Sequence, residues 1–98
     1  QVQKFTKQSN FILMKKGQPK RRDVALMELI AERLKELRSA RGYSQEFVVE
    51  RTKLNLPQYE AKHYPPTLDS LVILCKFYNI ALDEFFAPMN YPPKENKQ

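Results

Sequence analysis

Apolar residues recur between residues 24 and 41 at the spacing of an amphipathic helix. Their intervals of three or four residues place them on one face of a helix with about 3.6 residues per turn. They are Leu26, Ile30, Leu34 and Leu37. Asp23 is a good N-cap before this stretch, and Gly42 can end it in the left-handed conformation. We therefore predict a first helix over residues 24–41.

Two shorter helices are predicted next in the chain. Ser44 can cap the first of them, which runs to about Thr52 and buries a short apolar run. That run consists of Phe47, Val48 and Val49. Asn55 is again a capping residue, and Pro57 is tolerated in a first turn because the amide there has no intrahelical partner. The third helix is therefore predicted to begin after Asn55.

The last third of the chain predicts two more helices. The prolines at 65–66 stop helix three, and Thr67 caps a fourth helix that Asn79 ends. The apolar positions of this helix keep the helical period and are Leu68, Leu71, Leu74, Cys75 and Tyr78. A short fifth helix is predicted over residues 82–86, before Pro88. The expected fold is an all-α, compact five-helix bundle.

Positive charge is concentrated at the start of the chain. Residues 1–22 contain seven Lys and Arg and no acid, whereas the rest contains ten basic and eleven acidic residues. We interpret 1–22 as a basic arm, flexible or partly extended, 23–88 as the folded domain, and 89–98 as a tail without regular structure. A nearly neutral domain with a cationic arm suits a polyanionic partner, whose phosphates or minor groove the arm would contact. Alternatively, the arm is a solvated tail or a strand that pairs with a partner chain.

Cysteine usage and hydropathy bear on the compartment. The single cysteine, Cys75, excludes an internal disulfide and favours a reducing compartment. The apolar run at 11–14 is too short for a signal peptide or for the ~20 residues that cross a bilayer. We expect a cytoplasmic protein with no membrane partner. A core this small is marginal alone, so a homodimer is expected. Phe85, Phe86 and Met89 are candidates for the dimer contact, or they only close the core.

No pattern in the chain points to an enzyme. There is no phosphate-binding glycine loop, and the sole histidine, His63, lies in a proline turn without a nucleophile. His63 also lacks a neighbouring cysteine or second histidine, so we expect no metal. A small all-helical domain offers little room for a substrate pocket. We therefore expect no catalysis and no cofactor.

The second and third helices have the arrangement needed for nucleic-acid recognition. Two short helices joined by a tight turn can lay the second one in the DNA major groove. Asn55 and Gln58 share a helical face, and their amides can bond an adenine edge. Alternatively, Asn55 is only an N-cap and Gln58 only a surface residue. Arg51, Lys53 and Lys62 flank this unit as phosphate contacts, or they are only solvated.

Five pieces of sequence occur in order between residues 29 and 86. They are IAERLKELR (30–38), RGYSQE (41–46), YE (59–60), PTLDSL (66–71) and IALDEFF (80–86). Together they resemble the lambda-repressor/Cro-like (XRE-type) helix-turn-helix domain of bacterial and phage transcription regulators and antitoxins. That family has a five-helix fold, and the resemblance covers about 58 of the 98 residues.

The resemblance implies roles for particular side chains. It implies a phosphate contact for Gln45, base contacts for the early residues of helix three, phosphate contacts just after that helix, and a core position for Tyr59. The candidate DNA-binding residues are therefore Ser44, Gln45, Arg51, Lys53, Asn55, Pro57, Gln58, Lys62 and His63. The chain departs from the family because Gln45 and Glu60 are only fifteen positions apart, a few fewer than usual. In addition, Lys62 stands where glycine is common, and Ala81 where a capping Ser or Thr is common.

These observations predict sequence-specific binding of double-stranded DNA by a transcriptional regulator. A symmetric dimer would place two recognition helices about one DNA turn apart. The alternative is an antitoxin-like module whose partner is a protein such as a toxin and whose DNA binding is weak or non-specific. A third possibility is non-specific nucleic-acid binding by the basic arm alone.

Overall fold

The computed structural model describes residues 22–94. Residues 1–21 and 95–98, which hold nearly all of the basic arm and the end of the tail, lie outside the described residues. The predictions made for the arm therefore stay predictions.

Five α-helices form the described part of the chain, which has no β-strand between residues 22 and 94. They are α1 (Val24–Ala40), α2 (Gln45–Thr52), α3 (Leu56–Glu60), α4 (Leu68–Tyr78) and α5 (Leu82–Phe86). A 3₁₀ turn, Ala87–Met89, follows α5. The all-α, five-helix prediction is confirmed. The predicted helix bounds agree with the observed ones to within one residue, except that α3 already ends at Glu60, before the prolines at 65–66.

Three of the predicted N-caps are confirmed by hydrogen bonds. Asp23 Oδ1 accepts from the Leu26 amide at 3.0 Å, and Ser44 Oγ accepts from the Phe47 amide at 3.0 Å. Thr67 Oγ1 accepts from the Ser70 amide at 3.1 Å. Each bond satisfies a first-turn amide that has no partner within its own helix.

The predicted side-chain cap at Asn55 is wrong. Asn55 occupies the N-cap position of α3, but its side chain makes no cap hydrogen bond. Its ψ of 60° departs from the extended backbone of Ser44, whose ψ is 161°. In addition, Pro57 stands at the second helical position and has no N–H to donate. The Asn55 amide group is therefore free to make a different contact.

The core is formed by side chains from all five helices. Its buried members are Ile30, Leu34, Leu37, Val48, Leu56, Tyr59, Leu71, Leu74, Cys75, Tyr78 and Phe85. The expected core positions of Tyr59 and Cys75 are confirmed. Leu68 was predicted on the buried face of α4 but is 72% exposed. It occupies the first position of the helix, where neighbouring helices do not cover it.

The C-terminal segment packs onto α1. Arg33 on α1 donates from Nε to the Phe85 carbonyl at 2.8 Å and from Nη2 to the Glu84 carbonyl at 2.9 Å. Phe85 is fully buried, so it closes the core of its own chain and cannot serve as the dimer contact. Met89 packs against the same core, and Tyr91 Oη donates to Asp23 Oδ2 at 2.7 Å. Met89 and Tyr91, from the predicted tail, thus contact the folded domain.

Within residues 22–94, no helix combines the length and hydropathy needed to cross a bilayer.

Candidate nucleic-acid interface

Helices α2 and α3 are joined by a turn of three residues. Lys53 ends α2 in the left-handed conformation, with φ of 62°, and Leu54 packs against the core. After this turn, α3 packs against both α2 and α1. The third helix is only five residues long, in agreement with the short interval between Gln45 and Glu60.

The inner side of α3 is held by a buried carboxylate. The Glu60 side chain is 1% exposed. Arg38 binds it in bidentate fashion, with Nε at 2.9 Å from Oε2 and Nη2 at 2.9 Å from Oε1. Gln45 Nε2 donates to Oε1 at 2.8 Å. Three N–H groups from α1 and α2 thus offset the cost of burying this charge, and the bond to Glu60 raises the pKa of Arg38.

Gln45, the expected phosphate contact, is part of this network. One N–H of its amide group is directed at Glu60. A Gln side chain has two N–H donors, so the second one is left for an acceptor outside the domain. The bond to Glu60 also fixes which end of the amide is the donor.

The outer side of α3 carries two hydrogen-bonded pairs. Asn55 Nδ2 donates to Tyr64 Oη at 3.0 Å. Gln58 Oε1 bonds His63 Nδ1, and the histidine is the donor because an amide oxygen can only accept. The Asn55 Oδ1 and the Gln58 amino group are not used in these two pairs. Three predicted site residues, Asn55, Gln58 and His63, are thereby ordered around one short helix.

Tyr64 belongs to this surface although sequence reasoning missed it. Within the run at 62–66, Lys62 and His63 are predicted to contact DNA, whereas Tyr64 is given no role. In the structure Tyr64 is 39% exposed, and its ring meets that of Tyr59 edge to face, with centroids 5.8 Å apart. An aromatic residue a few positions after helix three was the available signal.

The three flanking basic residues point in different directions. The Arg51 guanidinium lies 4.4 Å from the centroid of the Phe47 ring on its own helix, whereas Lys53 is exposed at the turn. Lys62 has φ of 68°, which is the conformation that makes glycine common there. Its Nζ lies 3.3 Å from Glu32 Oε2 on α1. An exposed ion pair of this kind contributes about 0–1 kcal/mol, so it is easily exchanged for a phosphate.

A groove separates α2 from the start of α3. It has a volume of about 560 Å³ and is lined by Gln45, Glu46, Val49, Glu50 and Pro57. Pro57, expected to face base edges, instead lies half-buried in this groove. Glu46 and Glu50 are exposed and one helical turn apart on α2. Ser44, at the entrance to α2, uses its hydroxyl oxygen for the cap.

Comparison of the chain with models of protein families, with curated proteins and with solved structures found no match. The resemblance to the helix-turn-helix family therefore stays a prediction from the sequence.

Proposed function

We propose that this chain binds double-stranded DNA through α2 and α3 and acts as a sequence-specific transcriptional regulator. The observation that supports this most is the outer side of α3. There the amides of Asn55 and Gln58 lie beside the imidazole of His63 and the phenol of Tyr64 from the following turn, while the apolar residues of the helix, Leu56 and Tyr59, are buried. Groups of this kind can bond base edges in the major groove.

In this proposal each side chain has a separate task. The Asn55 Oδ1 and the Gln58 amino group bond base edges, and their bonds to Tyr64 and His63 keep both amides oriented. The second N–H of Gln45 and the amine of Lys53 bond phosphates. Lys62 exchanges its exposed contact with Glu32 for a phosphate.

The test compares a duplex selected from a randomised pool with a scrambled duplex, across a range of salt. The proposal expects the selected duplex to bind at least tenfold more tightly, since specific sites exceed non-specific ones by about 10³ or more in established regulators. Equal affinity for both duplexes would contradict sequence-specific regulation.

Two variants separate base contacts from phosphate contacts. Gln58→Ala should lose roughly 1–3 kcal/mol of discrimination between the two duplexes. Lys53→Ala should weaken both complexes alike and reduce the log–log salt slope by about 0.9. Lys76→Ala is the matched control, because Lys76 is an exposed lysine on α4, and it should change neither quantity.

The acidic residues of α2 favour a second candidate, a protein-interaction module of the antitoxin kind. Glu46 and Glu50 lie beside Gln45 and Pro57, where they would repel DNA phosphates and attract a cationic protein segment. If the chain fails to bind any duplex at low salt, this second candidate replaces the first.

A further inference from the structure

The groove between α2 and α3 has an apolar floor and an acidic rim. Val49 and Pro57 form the floor, and Glu46 and Glu50 form the rim. Among residues 22–94, neither of these carboxylates lies in an ion pair. Like charges at this spacing on a helix destabilise it by about 0.2–0.5 kcal/mol, and a cation placed between them relieves that cost. The groove therefore fits a short apolar segment that is followed or preceded by positive charge.

Such a segment is present in this chain. The run FILM at 11–14 is followed directly by Lys15 and Lys16. Residues 1–21 as a whole contain six basic residues and no acidic one. Residues 11–16 thus combine an apolar run, which suits the floor of the groove, with two lysines, which suit its acidic rim.

The length of the chain allows this segment to reach the groove of its own molecule. Gln45 lines one part of the groove and shares the Glu60 carboxylate with Arg38. Arg38 lies fifteen residues along α1 from Asp23. That distance is roughly 23 Å at the rise of an α-helix. The seven residues from Lys16, the end of this stretch, to Asp23 span at most about 25 Å when extended.

We propose that residues 11–16 dock on the α2–α3 groove of the same molecule. The apolar run covers Val49 and Pro57, and the two lysines neutralise Glu46 and Glu50. Because Gln45 lines this groove and is a proposed phosphate contact, the docked segment would compete with DNA there. The docking itself does not depend on DNA binding.

A spin label on the arm of the full chain tests this proposal by NMR without any DNA. The label is attached to the Ser9→Cys variant. Burial raises the pKa of the Cys75 thiol, which keeps the native cysteine unreactive, and mock-labelled wild type checks this. The expected result is loss of the amide signals of Glu46, Val49 and Glu50. Retention of these signals overturns the proposal.

Two further samples act as controls. The matched variant adds Ile12→Ser and Leu13→Ser to Ser9→Cys, which keeps the charge of the arm but removes apolar side chains. Its groove signals should return, whereas continued loss would show that charge alone holds the arm and would contradict apolar docking. Mixing labelled chains with isotope-labelled, spin-free chains should leave the signals intact. Signal loss in the mixture would assign the contact to a second molecule and overturn docking within one chain.

Discussion

The inner and outer sides of α3 differ in what holds them. The inner side is buried and carries Leu56, Tyr59 and Glu60, the last bonded to Arg38 and Gln45. The outer side carries Asn55 and Gln58, whose partners are side chains a few residues later in the sequence. The two sides of this short helix are therefore held by different contacts.

This difference shows how a very short helix keeps a fixed orientation. A helix of five residues is not stable in isolation, because nucleation is costly, and α3 has no side-chain cap. Its position must come from the contacts of its inner side. The outer side can then change with little effect on the fold, which is the condition that a recognition surface needs.

Removing the Glu60 carboxylate should have the largest effect. Glu60→Ala leaves Arg38 without its buried partner, so we expect the free energy of unfolding to fall by about 3 kcal/mol or more. Urea denaturation measures this. Glu36→Ala is the control, because that carboxylate is 67% exposed in its ion pair with Arg33 and should cost at most about 1 kcal/mol. Equal losses in both variants would show that the inner side does not anchor α3.

Truncating the buried leucine of α3 should have the next largest effect on stability. Leu56 is fully buried, whereas Leu68 is 72% exposed. Leu56→Ala should lower the free energy of unfolding by about 2–4 kcal/mol through lost burial and a residual cavity. Leu68→Ala should change it by less than about 0.5 kcal/mol. Thermal or urea unfolding of both variants measures the two losses of stability. A loss for Leu56→Ala as small as that for Leu68→Ala would show that the inner side of α3 does not hold the helix in place.

High pH should lower the free energy of unfolding through the ionisation of Tyr78, a buried side chain near Glu60. Burial, and next the Glu60 charge, raise the pKa of Tyr78 from 10 to about 12. Since the folded-state pKa is the higher one, this contribution is complete below pH 10 and is lost as the pH rises towards 12. The loss amounts to roughly 2–3 kcal/mol once Tyr78 is fully ionised. Urea midpoints between pH 9 and 12 should fall more steeply for wild type than for Tyr78→Phe, and parallel curves would contradict the assignment.

The smallest effects should appear at the caps. Ser44→Ala removes the bond to the Phe47 amide and should destabilise the protein by about 1 kcal/mol. Asn55→Ala removes no cap bond, so we expect a change of a few tenths of a kcal/mol. A cost for Asn55→Ala as large as that for Ser44→Ala would mean that the outer side also holds α3.

Much of the fold could be predicted because its signals are local. Asp23, Ser44 and Thr67 each bond an amide three residues later, so their caps follow from short stretches of sequence. The Glu60 network could not be predicted in the same way. Arg38 and Glu60 are 22 residues apart, and nothing in the local pattern distinguishes Glu60 from the solvated acids of the chain.

Part of the candidate site could also be predicted from local sequence, and the rest could not. The polar residues of α3 could be named because they share a helical face. The pairing of Asn55 with Tyr64 depends on the path of the chain after α3, and the position of Pro57 in the groove depends on how α2 and α3 pack. Those features come from tertiary structure, which periodicity does not encode.

The hydrogen bond between Tyr91 and Asp23 brings the two boundaries of the folded part to a common corner. Any polypeptide that leads into residue 22 or continues beyond residue 94 departs from that corner. A circular permutant could therefore join these boundaries with a short linker and open the chain in the exposed turn at Gly42.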